Sequence, residues 1–349
     1  MMNKSNEKEY YIEPGQEWEI DLFKPEDAEG VVNLFLSVYG KEYPVKTYLD
    51  KERLTDENHA GTTISTVART TKGDIVGHVA LYQSAPFKKI YEAGAGVVHR
   101  DYRGGKGIFT RMTAHTQNVS ANKFSVEVIF GEPVCNHIFS QKMTSNLGWI
   151  TMALELDLMP ASAYIAEKSA SGRVSSFIDF KTLIPHPHRV FLPSQYRNEL
   201  EYIYEGLDDE RDMYVSQAPF PEEGFTCINT QIFDFAQVAR LTVSKSGKDF
   251  SEIFFREEKS AESKGITLIE VWLNLSEPWI GETINLLRGK GYFFGGLLPR
   301  WFNEDGLLML KTKHRPYWEE MQIYSERAIE ITGFVRRDWE DRTRQSKEQ

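Results

Sequence analysis

A short glycine-rich turn is the part of this sequence whose residue types and spacing most clearly allow chemistry. Gly104, Gly105 and Gly107 lie between a stretch that reads as a strand and one that reads as a helix. Glycine has no Cβ, so the backbone amides of such a turn can face inward and approach an anion closely. A helix that begins near Ile108 adds partial positive charge at its N-terminus. The turn therefore predicts a site for a phosphate or pyrophosphate, with a simple left-handed connecting turn as the alternative.

Two well-known phosphate loops do not account for this turn. A P-loop ends in Gly-Lys-Ser/Thr, whereas Gly105 and Lys106 are followed here by Gly107. A Rossmann fingerprint carries G-x-G-x-x-G near the start of a βαβ unit, and the turn does not supply it. Arg103 and Lys106 can add charge-assisted hydrogen bonds to a bound anion. The residues alone leave open whether that anion belongs to a nucleotide or to another phosphorylated molecule.

Strand and helix patterns alternate on both sides of the turn. The N-terminal half reads as β-α-β-β-β-α-β-α-β, and the C-terminal half closes with β-α-β-α-β-β. That closing order repeats the order of residues 97 to about 159, which predicts a duplicated α/β fold. The charged run "DDERD" (Asp208 to Asp212) reads as a solvated joint between the halves. We therefore expect a flexible tail at residues 1–17, an N-terminal domain at 18–206 and a C-terminal domain at 207–349.

Composition and charge narrow the function classes. The 349 residues carry a net charge of −10, which disfavours broad binding to nucleic acid because phosphate neutralisation needs a basic surface. No apolar run reaches the length of a membrane span, and the N-terminus lacks the apolar core of a signal peptide. Cys135 and Cys227 have no metal-type spacing, and His186 and His188 have no third ligand nearby. We expect a cytoplasmic protein without a bound metal, and with neither nucleic acid nor a membrane as partner.

The glycine turn and its flanks resemble a known family. A strand that ends in Val97-Val98-His99, then an arginine with clustered glycines, then an amphipathic helix, is similar to motif A of the GNAT acyltransferase superfamily. The stretch "NHIFSQKMTSNLGW" (Asn136 to Trp149) is similar to its motif B. The turn has one glycine more than the family signature, and Phe109 replaces the signature's last small residue. The resemblance covers most of residues 18–160 and, more weakly, residues 210–312.

The resemblance implies a fold and an activity. The acyl-CoA N-acyltransferase fold is a mixed, mostly antiparallel central sheet flanked by helices, here duplicated with a degenerate second domain. The implied activity is transfer of an acetyl group from acetyl-CoA to an amine of a small molecule or peptide, by direct attack and without a metal. A non-catalytic acyl-CoA-binding or regulatory module is the alternative. The C-terminal half has only Gly247 before its first helix, so we expect CoA to bind the N-terminal domain alone. The acceptor and the oligomeric state stay open.

The resemblance also implies roles for individual residues. The residues expected to hold CoA are Val97, Val98, Arg103, Gly104, Gly105, Lys106, Gly107, Ile108, Phe109 and Thr110. A backbone amide at Val97 or Val98 would bond the thioester oxygen. Glu92, on the strand that enters the turn, is the expected general base, because the small residues after it leave room for a substrate. His137 opens the motif B helix and could contact CoA or carry a proton near neutral pH. Thr144 stands where the family usually has the tyrosine that protonates the thiolate.

Overall fold

The computed structural model describes residues 11–41, 43–105, 107–164, 172–207 and 209–348, and these form two compact units. Unit 1 contains the described residues up to Ser84 together with Lys88–Ile129, and unit 2 contains Ala85–Phe87 and the described residues from Phe130 onward. None of the described helices is both long enough and apolar enough to span a membrane. The domain boundary expected after residue 206 stays a prediction.

Unit 1 is built on an antiparallel sheet whose strands pair in chain order. The strands are β1 (Trp18–Leu22), β2 (Thr63–Thr70), β3 (Ile75–Tyr82) and β4 (Ile90–Val98). The helices are α1 (Ala28–Tyr39), α2 (Lys51–Ala60), α3 (Ile108–His115) and α4 (Ala121–Lys123). A π-helical turn at Thr116–Ser120 joins α3 to α4, and strand β5 (Val128–Gly131) begins in unit 1 and ends in unit 2.

Helices cover both faces of the unit 1 sheet. Successive strand residues point to opposite faces, so they enter two different buried cores. The core shared with α1 and α2 includes Phe35, Leu54, Val67, Ile75 and Val97. The core shared with α3 includes Ala68, Val76, Val98, Ile108 and Met112. Because the side chains of Val97 and Val98 are both used in packing, the end of β4 can offer a ligand only its backbone.

Seven strands of unit 2 lie side by side in the order β7-β6-β13-β14-β12-β11-β10. These strands are β6 (Ile150–Met159), β7 (Val174–Thr182), β10 (Cys227–Phe233), β11 (Val238–Lys245), β12 (Leu268–Asn274), β13 (Phe293–Leu298) and β14 (Gly306–Thr312). Strands β11 and β12 are parallel, and their neighbours in the sheet pair antiparallel. A separate parallel pair is formed by β8 (His188–Leu192) and β9 (Arg211–Val215). The helices are α5 (Phe139–Asn146), α6 (Arg197–Tyr204), α7 (Phe250–Ser263), α8 (Ile280–Gly289) and α9 (Glu326–Glu348).

The expected fold class is confirmed. Each unit has a mostly antiparallel sheet flanked by helices, and the parallel pair β11–β12 makes the sheet of unit 2 mixed. The chain order β4-α3-β5-α5-β6-β7 recurs as β11-α7-β12-α8-β13-β14, apart from the short α4 after α3. The duplication predicted from element order is therefore present in the structure.

The charged run at residues 209–212 is not a solvated joint. Arg211 begins strand β9, and its Nε donates to Oδ2 of Asp305 at 2.6 Å. The side chains of Arg211 and Asp305 are only 2% and 0% exposed. Burial alone would raise the pKa of Asp305, but contacts with His188 and Arg211 hold it well below its usual range. The solvated interpretation is wrong because the partner carboxylate lies far away in the sequence, where a charge pattern cannot reveal it.

Candidate functional site

The glycine turn has a left-handed backbone, which both interpretations of its sequence allow. Gly104, Gly105 and Gly107 have φ angles of 79°, 78° and 61°, a region that favours glycine. A Cβ built on any of the three would meet no atom within 4 Å. The surroundings leave the turn open, so its glycines are required by backbone conformation and not by crowding. Lys106 lies outside the described residues.

The backbone amides of the turn are available to a ligand. Helix α3 begins at Ile108, and the amide of Arg111 closes its first turn on the carbonyl of Gly107 at 2.9 Å. No described residue accepts a hydrogen bond from the amides of Gly104, Gly105, Gly107, Ile108, Phe109 or Thr110. Amides at a helix N-terminus point along the axis and favour anions. The turn and the start of α3 therefore present several amide donors that have no acceptor among the described residues.

Two side chains near the turn are used internally. Arg103 donates from Nε to the carbonyl of Val98 at 2.9 Å, so it braces the end of β4 against the turn. The ring of Phe109 lies where a Cβ on Gly96 would be, and Phe109 is 39% exposed. The replacement of a small residue by Phe109 is therefore accommodated by Gly96 on the neighbouring strand.

Strand β4 carries a bulge just before the turn. Ala95 has a φ of 48°, and the register with β3 shifts so that Ala95 and Gly96 together oppose a single residue. His78 lies with Nδ1 2.9 Å from the carbonyl of Ala95 and Nε2 3.0 Å from Oγ of Ser65. Burial lowers the pKa of His78 to about 4, so the ring is neutral at ordinary pH. A carbonyl can only accept, so Nδ1 carries the proton and Nε2 accepts from the Ser65 hydroxyl.

Glu92 is held by two hydroxyl groups. Tyr82 donates from Oη to Oε1 of Glu92, and Ser84 donates from Oγ to Oε2 at 2.7 Å. Tyr82 and Glu92 face each other directly across β3 and β4. A Cβ on Gly94 would lie 2.6 Å from Oη of Tyr82, so the glycine makes room for the phenol. Glu92 is half-buried and oriented, unlike an ordinary water-facing carboxylate.

A cleft of about 360 Å³ opens beside the bulge, and we call it the tyrosine cleft. Its lining includes Tyr43, Thr47, Tyr48, Glu57, Tyr82 and Ala95. Burial raises the pKa of Tyr43 and of Tyr48 above the usual value, and the charge of Glu92 adds to the rise. Burial alone would raise the pKa of Glu57, but hydrogen bonds led by that from Arg53 lower it. The cleft is thus aromatic, with carboxylates at and near its wall.

The motif B residues belong to unit 2, whereas Glu92 and the turn belong to unit 1. His137 precedes α5, and its ring lies 5.4 Å from that of Phe139, which is 75% exposed. The grouping of His137 with Glu92 stays a prediction. Among the described residues, no group of three or more His, Cys, Asp or Glu side chains is arranged to hold a metal ion.

Thr144 is a buried structural residue. Its side chain donates from Oγ1 to Oδ2 of Asp179 at 2.6 Å, and the residue is 3% exposed. Thr151 donates to the other oxygen of Asp179 at 2.7 Å. Burial raises the pKa of Asp179 to about 6 in spite of these two bonds. The hydroxyl of Thr144 is thereby committed to a neighbouring carboxylate within unit 2.

The second repeat has a turn at the corresponding place. Ser246-Gly247-Lys248-Asp249 precedes α7 as Gly104-Gly105-Lys106-Gly107 precedes α3, so the two turns align residue for residue from the helix start. This correspondence was not part of the sequence prediction, although it is visible when "SGKDF" (Ser246 to Phe250) is aligned with "GGKGI" (Gly104 to Ile108). Asp249 has replaced the last glycine and accepts from the amide of Thr226 at 2.8 Å.

Three amides of this second turn donate hydrogen bonds to the protein itself. The amide of Ser246 donates to Oε1 of Glu277 at 2.9 Å, and that of Gly247 to Oγ1 of Thr226 at 2.9 Å. The amide of Lys248 donates to the carbonyl of Gly224 at 3.3 Å. Burial raises the pKa of Glu277 to about 7, although its bonds from Ser246 lower it. The second turn matches the first in its place before a helix but not in backbone form, since Asp249 has a φ of −98° where Gly107 has 61°. Three of its amides are already bonded to the protein.

The chain was compared with protein families, curated proteins and solved structures. No family model and no curated protein sequence matches the chain. The similar solved structures include a protein from Salmonella typhimurium, taken to be an acetyltransferase and solved with its cofactor acetyl-CoA (13% identity, 49% of this chain, 96% of that chain, TM-score 0.39). They include a ribosomal-protein-S5-alanine acetyltransferase from Vibrio fischeri (15%, 50%, 95%, TM-score 0.37). A dodecameric spermidine N-acetyltransferase from Vibrio cholerae is also similar (12%, 47%, 93%, TM-score 0.38).

All three bear the name acetyltransferase. Each matches about half of the chain. At these identities and TM-scores the likeness does not extend to activity or substrate.

Proposed function

We propose that this protein transfers an acetyl group from acetyl-CoA to an amine of a small molecule or peptide. The observation that supports the proposal most is the contrast between the two turns. The first turn combines three left-handed glycines with amides that have no acceptor among the described residues. In the second turn, which has the same place before its helix, three amides already donate to side-chain and backbone oxygens of the protein. The first turn is therefore suited to an external anion.

The residues of the first turn fit the pyrophosphate of CoA. In this proposal the amides from Gly104 to Thr110 bind its oxygens, because helix N-termini and glycine turns both favour phosphate. The bulge at Ala95 and Gly96 turns the β4 backbone away from a regular ladder next to this site. A backbone amide at Val97 or Val98 would then stabilise the developing charge on the thioester oxygen. The second repeat would bind no CoA.

The reaction needs one proton transfer that the chain can assist. The neutral amine attacks the thioester carbonyl carbon, the new C–N bond forms, and the C–S bond breaks. The amine nitrogen loses a proton and the CoA sulfur gains one. Glu92 is the group we assign to accept the proton, and such assistance is typically worth about 10²–10⁴-fold in rate. The tyrosine cleft, which includes Ala95 of the bulge, is where we place the acceptor.

A non-catalytic acyl-CoA-binding module is the second candidate. The observation that favours it is Thr144, whose hydroxyl is bound to Asp179 at the position of the family's usual proton donor. A protein of that kind would bind CoA through the same turn and release no product.

One experiment separates the two functions. The full chain is incubated with acetyl-CoA and a panel of amines, and free CoA thiol and acetylated amine are both quantified. Equal amounts of the two products support acetyl transfer. Binding of acetyl-CoA without acetylated product from any amine favours the module, and absence of CoA binding contradicts both functions.

A further inference from the structure

We propose that Tyr82 is a catalytic residue, through which Glu92 exchanges a proton with the acceptor amine and with the leaving thiolate. This inference rests on the acetyl transfer proposed above. Tyr82 is the last residue of β3 and belongs neither to the glycine turn nor to motif B.

Tyr82 separates Glu92 from the cleft. Tyr82 lines the tyrosine cleft, whereas Glu92 is not among the described residues that line it. The phenol donates its proton to Oε1 of Glu92, and Ser84 occupies Oε2. A molecule in the cleft therefore contacts Tyr82 before it reaches the carboxylate. If Glu92 acts as a base on that molecule, the direct route passes through Tyr82.

The phenol of Tyr82 has a fixed position along β4. Its oxygen lies over Gly94, where a Cβ would approach it to 2.6 Å. The next residue is Ala95, which begins the bulge and also lines the tyrosine cleft. Any larger side chain at position 94 would displace the phenol from this place. The hydroxyl is thus held beside the bulge, close in sequence to Val97 and Val98, whose amides are proposed to bind the thioester oxygen.

Thr144 stands where the resemblance leads us to expect a tyrosine as the proton donor. The hydroxyl of Thr144 is buried and donates to Asp179. A threonine is in any case a poor acid toward a thiolate, whereas a phenol has an ordinary pKa of about 10. Tyr82 supplies a phenol at the cleft that is already hydrogen-bonded to a base.

The proton transfer balances without another reactant. As the amine nitrogen attacks, its proton moves to Oη of Tyr82 while the phenolic proton moves to Oε1 of Glu92. As the C–S bond breaks, Glu92 returns its proton to the phenolic oxygen, and Tyr82 gives its proton to the sulfur. The amine has then lost one proton, the thiolate has gained one, and both side chains are restored. Among the described residues, the other ionisable groups that line this cleft are Tyr43, Tyr48, Arg53 and Glu57.

The test is a double-mutant cycle on the full chain with the best amine found. Tyr82→Phe removes only the hydroxyl, Glu92→Gln removes the basicity, and the third variant combines both. Tyr91→Phe is the matched control, because Tyr91 is a buried tyrosine of β4 whose hydroxyl bonds to the carbonyl of Gly61 outside the relay. CoA affinity and thermal midpoint are measured for every variant.

We expect Tyr82→Phe to lower kcat by about tenfold or more while CoA affinity holds. Glu92→Gln should then cost little more in the Tyr82→Phe background, because the two residues act as one path. Wild-type kcat in Tyr82→Phe, or losses that multiply independently, would overturn the relay and leave acetyl transfer standing. A wild-type protein that binds acetyl-CoA and acetylates no amine would instead overturn the proposed function, and the relay with it.

Discussion

The carboxylate of Glu277 accepts a hydrogen bond from the backbone amide of Ser246 at 2.9 Å, in the turn that leads to α7. Ser246 corresponds to Gly104 when the two turns are aligned on their helices. The second repeat has therefore placed one of its own carboxylates on an amide that is open in the first. An internal carboxylate and a bound phosphate compete for the same donor, so the two turns differ in what they can bind.

Acetyl-CoA should bind with one equivalent per chain. Calorimetric titration of the full chain measures this number directly. The reason is that protein oxygens already satisfy the amides of Ser246, Gly247 and Lys248. Two equivalents per chain, with similar heats, would show that the second turn also binds CoA.

Bulky residues in the first turn should weaken CoA binding. We expect Gly105→Val with Gly107→Val to reduce affinity by about tenfold or more, because a β-branched residue is strained at positive φ and distorts the amides. Gly73→Val is the matched control, since Gly73 has a φ of 90° and open space around it in the β2–β3 hairpin. Equal CoA affinity in the double variant and the control, with both folded, would refute the assignment of the turn.

His78 should make folding stability depend on pH. Its pKa is about 4 in the folded protein, against 6.5 for the unperturbed side chain, because burial disfavours the charged ring. The unfolded chain therefore takes up a proton that the folded chain refuses. The contribution of His78 to the free energy of unfolding is therefore complete above pH 6.5. It falls as the pH drops toward 4, by roughly 3 kcal/mol in total.

The measurement for His78 is urea unfolding between pH 7.5 and 4.5. The substitution His78→Asn keeps a donor for the carbonyl of Ala95 and does not titrate, so its stability should change less over this range. His59→Asn changes an exposed histidine of α2 and should behave like the wild type. A pH dependence that is identical in wild type and His78→Asn would show that His78 is not the group responsible.

Thr144 should matter for stability and not for proton transfer. Thr144→Val leaves Asp179 with one hydroxyl donor fewer in a buried site, at a cost of about 1–3 kcal/mol. Thr144→Ser keeps the hydroxyl and serves as the control. We expect the dependence of kcat on pH to keep its shape in both variants. A fall in kcat in Thr144→Val that Thr144→Ser restores, in protein that is fully folded, would identify the Thr144 hydroxyl as a proton donor.

The turn and most of the strands around it could be predicted from the sequence, because a glycine cluster indicates a turn and alternating hydrophobic residues indicate a strand. Helix α2 could not be recognised from its hydrophobic pattern, since Leu54 is its buried residue. Its N-terminus is capped by the side chain of Asp50. The pairing of Tyr82 with Glu92 depends on strand register and on the bulge at Ala95, and neither can be read from one strand alone. The role of Glu277 depends on a fold in which residues 31 positions apart meet.

The central claim is that the open amides of the first turn bind the pyrophosphate of acetyl-CoA. Hydrogen exchange of the full chain with and without saturating acetyl-CoA, followed by mass spectrometry of its peptides, measures those amides directly. The account predicts slower exchange in peptides that cover residues 104–110, and no change in peptides that cover residues 246–250. Unchanged exchange at 104–110 in protein that has bound acetyl-CoA, or protection at 246–250 instead, would contradict it.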